Sequence, residues 1–123
     1  MEKASILVVE SNLEVRDRLV HALKNNGFFA WGCPLPDTAR DLLATVHPQI
    51  LLIDLDLQEE AGWDLLRVCK QNSPETRVIL HSSSLNTNLM VKAVTEGADG
   101  FFMKSFSAEP ILSMTGLIPP LRH

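Results

Sequence analysis

Ile50-Leu51-Leu52-Ile53-Asp54 decides the fold: four aliphatic residues run without a break into an acid. An apolar run this short, with no polar alternation, reads as a strand buried on both faces, as in a parallel sheet. In open α/β sheets, ligands and chemistry gather just past the carboxyl ends of the strands. Asp54 stands at that place, and Asp56 and Gly62 follow it as turn-forming signals.

The pattern repeats on both sides of this stretch. Upstream, Pro36-Asp37 opens a helix with Ala39, Leu42, Leu43 and Val46 on its apolar face, and His47-Pro48 stops it. Before it, Phe28 to Cys33 forms a strand broken by Pro34 and Pro36. The first strand, Ile6-Leu7-Val8-Val9, ends at Glu10, and Ser11-Asn12-Leu13-Glu14 has capping-box spacing with Ser11 as N-cap. The helix that follows carries Val15, Leu19, Ala22 and Leu23, and ends at Gly27, which suits the left-handed C′ position. Downstream, Leu55 to Ala61 is a loop, acidic at Asp56, Glu59 and Glu60. Gly62 starts a helix with Leu65, Leu66 and Cys69 toward the core, ended by Asn72-Ser73-Pro74. Val78-Ile79-Leu80-His81 is the fourth strand, with Ser82-Ser83-Ser84 after it. A helix with Leu89, Met90, Ala93 and Val94 is capped by Gly97, and Gly100 to Met103 is the fifth strand, ending at Lys104. A last helix begins at Ser107, holds Pro110 in its first turn, and is cut short by Gly116 and Pro119-Pro120.

Strand–helix units in this succession imply right-handed crossovers and a parallel sheet with helices on both faces. The expected fold class is α/β, a single doubly wound five-stranded parallel sheet, wound in a Rossmann-like or flavodoxin-like manner. The first strand–helix turn lacks G-x-G-x-x-G, which argues against dinucleotide binding, and no P-loop motif is present.

Composition sets the outer limits. A chain of 123 residues suits one domain and buries roughly two thirds of its unfolded surface without disulfide or metal support. Hydrophobic residues make up 46% and charged residues 21%, which excludes wholesale disorder. The net charge of −4 argues against nonspecific nucleic-acid binding. Cys33 and Cys69 have no metal-ligand spacing and read as reduced thiols. No apolar run approaches the roughly 20 residues that span a bilayer, and Ile6 to Val9 is too short for a signal peptide. The expected setting is cytoplasmic.

Four strands deliver polar residues at their carboxyl ends: Glu10-Ser11, Asp54, Ser82 and Lys104. In the order 2-1-3-4-5, the first and third strands are neighbours, so Glu10 and Asp54 face each other. Two close carboxylates repel unless a cation lies between them, and oxygen ligands suit Mg²⁺. With Lys104 opposite and Ser82 as hydroxyl donor, Asp54 is placed to carry a phosphoryl group. Each residue also has an ordinary reading: Asp54 as a loop or cap acid, Glu10 as a dipole-favourable acid, Ser11 as a plain N-cap, Ser82 as one of a loop serine run, Lys104 as a solvated lysine. Their arrival at strand ends in one topology favours the joint reading.

At these residues the chain resembles the response-regulator receiver domain, the CheY-like fold of bacterial two-component signalling. Ile6 to Ser11 is similar to that family's first strand and acidic pair, and Pro48 to Leu57 to its phosphoacceptor segment, with Gly62 at the family's glycine. Val78 to Ser83 resembles the strand that ends in the switch Thr/Ser, and Gly97 to Phe106 the G-A-D-x-[YF]-x-x-K-P-F signature. The resemblance implies that residues 1–123 are one receiver domain, the N-terminal part of a longer protein with a linker from near Pro119. It implies that Asp54 accepts phosphate from a histidine kinase or phosphotransfer protein, with Lys104 and Ser82 on the phosphoryl group. Ser82 and Phe101 would be the switch pair, and Glu10, Asp54 and the backbone carbonyl of Asp56 the Mg²⁺ ligands. A downstream protein or output domain would read the switch, and the receiver itself would be a monomer or a weak homodimer through its last helices. No direct contact with nucleic acid or membrane is implied.

Three positions depart from the family pattern. Ser11 replaces the second acid, so Mg²⁺ is held weakly, with Ser11 a weak ligand or one acting through water. Ser105 replaces a proline that is often cis; a cis bond before serine costs about 3 kcal/mol, so a trans peptide is expected. Gln58 replaces a common loop proline. The alternative these departures raise is a pseudo-receiver acting as a phosphorylation-independent interaction module. An enzyme with a small-molecule substrate would need a base, and His81 is the candidate near the site. A histidine late in a strand is more often buried and hydrogen-bonded than catalytic.

Overall fold

Unbroken apolar strands need cover on both faces, and the chain supplies a helix after each of the first four strands. The computed structural model describes residues 4–56, 58–84 and 86–104. In chain order the elements are β1 (Ser5–Val9), α1 (Leu13–Asn25), β2 (Phe29–Cys33), α2 (Pro36–Val46), β3 (Ile50–Asp54), α3 (Glu59–Asn72), β4 (Arg77–Ser82), α4 (Thr87–Glu96) and β5 (Gly100–Met103). The strands form one sheet in the order β2-β1-β3-β4-β5, every pair parallel. The five-stranded 2-1-3-4-5 winding read from the sequence is therefore present.

Side chains on a strand alternate between its two faces. Leu7, Val9, Leu51, Ile53, Val78 and Leu80 meet Ala39 of α2, Trp63, Leu65, Leu66 and Cys69 of α3, and Ala93 of α4. Ile6, Val8, Ile50, Leu52, Ile79 and Phe102 meet Val15, Leu19 and Leu23 of α1. β3 is buried at all five positions, as its continuous apolar run requires.

The termini of the helices follow the sequence with two corrections. Asn12, not Ser11, caps α1: its side chain accepts from the Val15 amide at 3.0 Å, and Ser11 is drawn to Asp54 instead. α3 begins at Glu59, so Gly62 lies in its first turn rather than at its start. A Cβ on Gly62 would come within 2.9 Å of a Leu55 methyl and 3.3 Å of an Ile53 methyl, so the glycine lets α3 lie close on β3. Gly27 takes φ +93° after α1 and Gly97 φ +96° after α4, both left-handed. In α4, Ala93 is buried and Leu89 packs against the core, but Met90 and Val94 are exposed, contrary to the expected apolar face.

At the amino-terminal end of the sheet, Asp99 ties three segments together. Its Oδ2 accepts from the Val78 amide at 2.8 Å and from Lys70 Nζ at 2.7 Å, and Arg77 lies 3.6 Å from its Oδ1. Cys33 and Cys69 are buried free thiols. No helix among the described residues is long and apolar enough to cross a membrane. Leu57, the peptide at Ser105, Phe106, the last helix from Ser107 with any dimer contact through it, and the linker near Pro119 lie outside the described residues.

Candidate functional site

Strand alternation assembles the site. Glu10 continues the face of Ile6 and Val8, Asp54 that of Ile50 and Leu52, His81 that of Ile79, and Lys104 that of Phe102. Register then sets them side by side, with Val9 opposite Ile53 and Asp54 opposite His81. Glu10, Asp54 and Lys104 thus meet at the carboxyl rim, as the strand-end reading expects.

The Lys104 ammonium is the hub. Its Nζ lies 2.9 Å from Glu10 Oε2, 3.0 Å from Asp54 Oδ2 and 3.5 Å from Asp56 Oδ2. Asp54 is held at both oxygens: Oδ1 accepts from the Asp56 amide at 2.9 Å, and Oδ2 accepts from the Ser11 hydroxyl at 3.0 Å and from Lys104. Glu10 Oε2 also accepts from the Asn12 amide at 2.9 Å, and Arg16 Nη1 donates to the Glu10 carbonyl at 2.9 Å.

Burial and charge pull these groups in different directions. Burial raises the Glu10 carboxyl, and the Lys104 bond and Asn12 amide offset this only in part. Burial acts the same way on Asp54, but there the Asp56 amide and Lys104 outweigh it and hold the carboxyl below its usual value. Burial would lower Lys104, yet its bonds to Glu10 and Asp54 raise it, so it stays a cation. Burial pushes the His81 imidazole down to about 4, which leaves it neutral near pH 7.

The remaining sequence candidates sit nearby on other partners. Ser82 Oγ donates to Asp56 Oδ1 at 3.0 Å, and the Ser83 amide donates to the same oxygen at 2.8 Å. Burial raises the Asp56 carboxyl, but those two serines outweigh it and the net shift is downward. Phe101 is half-buried against the core on the sheet face that α2, α3 and α4 cover, opposite Asp54. The Asp56 side chain is the participant that sequence reasoning missed, since only its backbone carbonyl was expected to matter. Its position two residues past the strand-end acid was the available signal. Three carboxylates already gathered around one ammonium are a donor set that fits a hard cation.

A parallel 2-1-3-4-5 sheet with acids and a lysine converging at its carboxyl rim defines a receiver-type α/β domain. The chain belongs to the family described as the response regulator receiver domain, whose profile matches residues 6–115. The nitrogen assimilation regulatory protein NtrX of Azorhizobium caulinodans is 28% identical over 112 residues, covering 89% of this chain and 25% of that protein. The cell cycle transcriptional regulator CtrA of Caulobacter vibrioides is 25% identical, covering 88% of this chain and 47% of CtrA. The chain thus spans about a quarter to a half of the length of these curated relatives. Among solved structures, Vibrio cholerae chemotaxis protein CheY4 superposes with a TM-score of 0.86 at 16% identity, covering 95% of this chain and 99% of that one. NtrX from Brucella abortus, solved in complex with ADP, gives 0.83 at 27% identity, covering 94% of this chain and 27% of that one. The chain is therefore a receiver domain of the two-component signalling family.

Proposed function

We propose that Asp54 is the phosphoryl acceptor of this receiver and that its modification changes a protein-interaction face. The observation that carries the reading is the double hold on Asp54, with one oxygen on the Asp56 amide and the other on Ser11 and Lys104. A carboxylate fixed at both ends and kept ionised is a preorganised nucleophile. One Asp54 oxygen attacks phosphorus of a phosphohistidine, the P–N bond breaks, and its electron pair returns to the imidazole. Lys104 and Ser82 then lie within reach of the phosphoryl oxygens, and moving Ser82 off Asp56 frees space for Phe101 to change its packing. Glu10, Asp54 and the Asp56 carbonyl would hold Mg²⁺, with Ser11 reaching it through water. The cation supplies charge neutralisation for the transferring group. The donor is a histidine kinase or phosphotransfer protein, and the reader of the switch is a downstream protein or an output domain of a longer chain.

Incubation with acetyl phosphate and Mg²⁺ is expected to add one phosphoryl mass to the intact protein and none to Asp54→Asn. A folded wild-type protein that gains no adduct from acetyl phosphate or from a phosphorylated histidine donor would overturn the reading. Ser11→Asp restores a second acid at a position whose hydroxyl lies 3.0 Å from Asp54. It is expected to tighten Mg²⁺ about tenfold or more, an effect of about 1.4 kcal/mol, read by calorimetric titration. An unchanged Mg²⁺ affinity would place residue 11 outside the cation's reach.

A further inference from the structure

The rim holds a group that the Asp54 chemistry does not use. The His81 side chain is 1% exposed, and Glu10, 3.3 Å away, is 0% exposed. Among the described residues, nothing hydrogen-bonds to either His81 nitrogen or to Glu10 Oε1. Buried polar atoms are seldom left so, and each one left unpaired costs about 1–3 kcal/mol. The atoms are also close together. One donor atom each from Glu10, Asp54 and His81 lies within 4.8 Å of the others.

The spacing is informative. Donors about 2.0–2.1 Å from a tetrahedral metal stand roughly 3.3–3.4 Å apart. His81 Nε2 and Glu10 Oε1 are separated by 3.3 Å. Octahedral Mg²⁺ with bonds of about 2.0–2.1 Å draws adjacent oxygens to roughly 2.9–3.0 Å, and it selects oxygen rather than imidazole. We propose that Glu10, Asp54 and His81 form a mixed nitrogen–oxygen site for a borderline divalent transition metal of the Zn²⁺ type. The inference rests on the reading of this rim as a cation site and sharpens it, because His81 would make the site discriminate between metals. Loading would draw Glu10 and Asp54 away from Lys104, so the ammonium and the metal compete for the same two carboxylates.

The test is calorimetric titration of the metal-free full chain with Zn²⁺ and, separately, with Mg²⁺. The parent carries His21→Gln, His47→Gln and His123→Gln, which leaves His81 as its imidazole. Adding His81→Leu is expected to weaken Zn²⁺ at least about tenfold while leaving Mg²⁺ unchanged, and Glu10→Gln to weaken both. The His81→Leu change removes two buried unpaired nitrogens, so that variant should fold at least as well as the parent. Co²⁺ gives a second readout: visible absorption of a tetrahedral site in the parent, lost in His81→Leu. Zn²⁺ affinity that ignores His81 while Mg²⁺ still binds would overturn this inference alone. Failure of the parent to bind either ion would overturn it together with the cation-site reading.

Discussion

Lys104→Met is expected to destabilise the folded domain by about 3–5 kcal/mol at neutral pH, the range for removing one partner of a buried ion pair. Glu10 and Asp54 are nearly solvent-free and face each other across the ammonium, so its loss leaves two buried carboxylates repelling. Methionine keeps an unbranched chain of similar length, so the loss reports charge rather than a cavity. The pH dependence identifies the cause. Glu10 already lies above its ordinary 4.5, and removing Lys104 raises it further. A carboxyl raised in the folded state favours folding below its unfolded value and loses that contribution as pH rises through the folded value. The deficit of Lys104→Met should therefore be largest at neutral pH and shrink toward pH 4.5. Urea unfolding at about pH 7 and about pH 5 reads this directly, with Lys104→Arg as the charge-conserving control. A loss below about 1 kcal/mol, or one independent of pH, would mean that Lys104 does not neutralise the pair.

Trp63→Ala should cost a similar amount, about 3–5 kcal/mol, for a different reason. The indole is fully buried in the core beneath α3, its Nε1 donates to Glu59 Oε2 at 3.2 Å, and Lys92 Nζ lies 4.7 Å from its ring centroid. Alanine there opens a cavity between α3 and the sheet. Trp63→Phe keeps most of the volume and loses the edge bond, so it should cost far less. Thermal or urea unfolding of the two variants separates packing from hydrogen bonding; equal losses would assign the effect to the Glu59 bond.

Trp63 also marks a limit of reading the chain without its structure. The strands were legible because apolar runs without alternation have one sensible environment, and their order fixed which acids would meet. Helix faces were less so. In α4, Leu89, Met90, Val91, Ala93 and Val94 offer more apolar residues than one stripe can use, and the sheet takes only the Leu89–Ala93 side. In α3, Glu59 to Ala61 open the helix where their acids read as loop, and Trp63 joins Leu65, Leu66 and Cys69 in the core although the apolar pattern alone did not single it out. Ser11 and Asn12 are both good caps, and local spacing could not choose between them. The choice came from Asp54, a residue 43 positions away that claims the Ser11 hydroxyl. Likewise, the Asp56 carboxylate takes its role from Ser82 and Ser83, which no local pattern joins to it. What strand order alone decides was readable; which of several possible partners a side chain takes across distant segments required the fold.

The all-parallel pairing has a consequence for how the domain comes into being. No two neighbouring strands can zip together through a hairpin, so every ladder waits for an intervening helix to bring its partner back. Such topologies carry a high loop-closure cost and fold slowly. β2, β1 and β3 can associate once residues up to Asp54 are available, but the rim stays incomplete at that stage. Glu10 comes from near the beginning of the described chain and Lys104 from its end, so their contact spans almost all of it. The charge cluster is thus among the last things to form, and until β5 docks, the early half of the molecule carries its acids without the lysine that reconciles them.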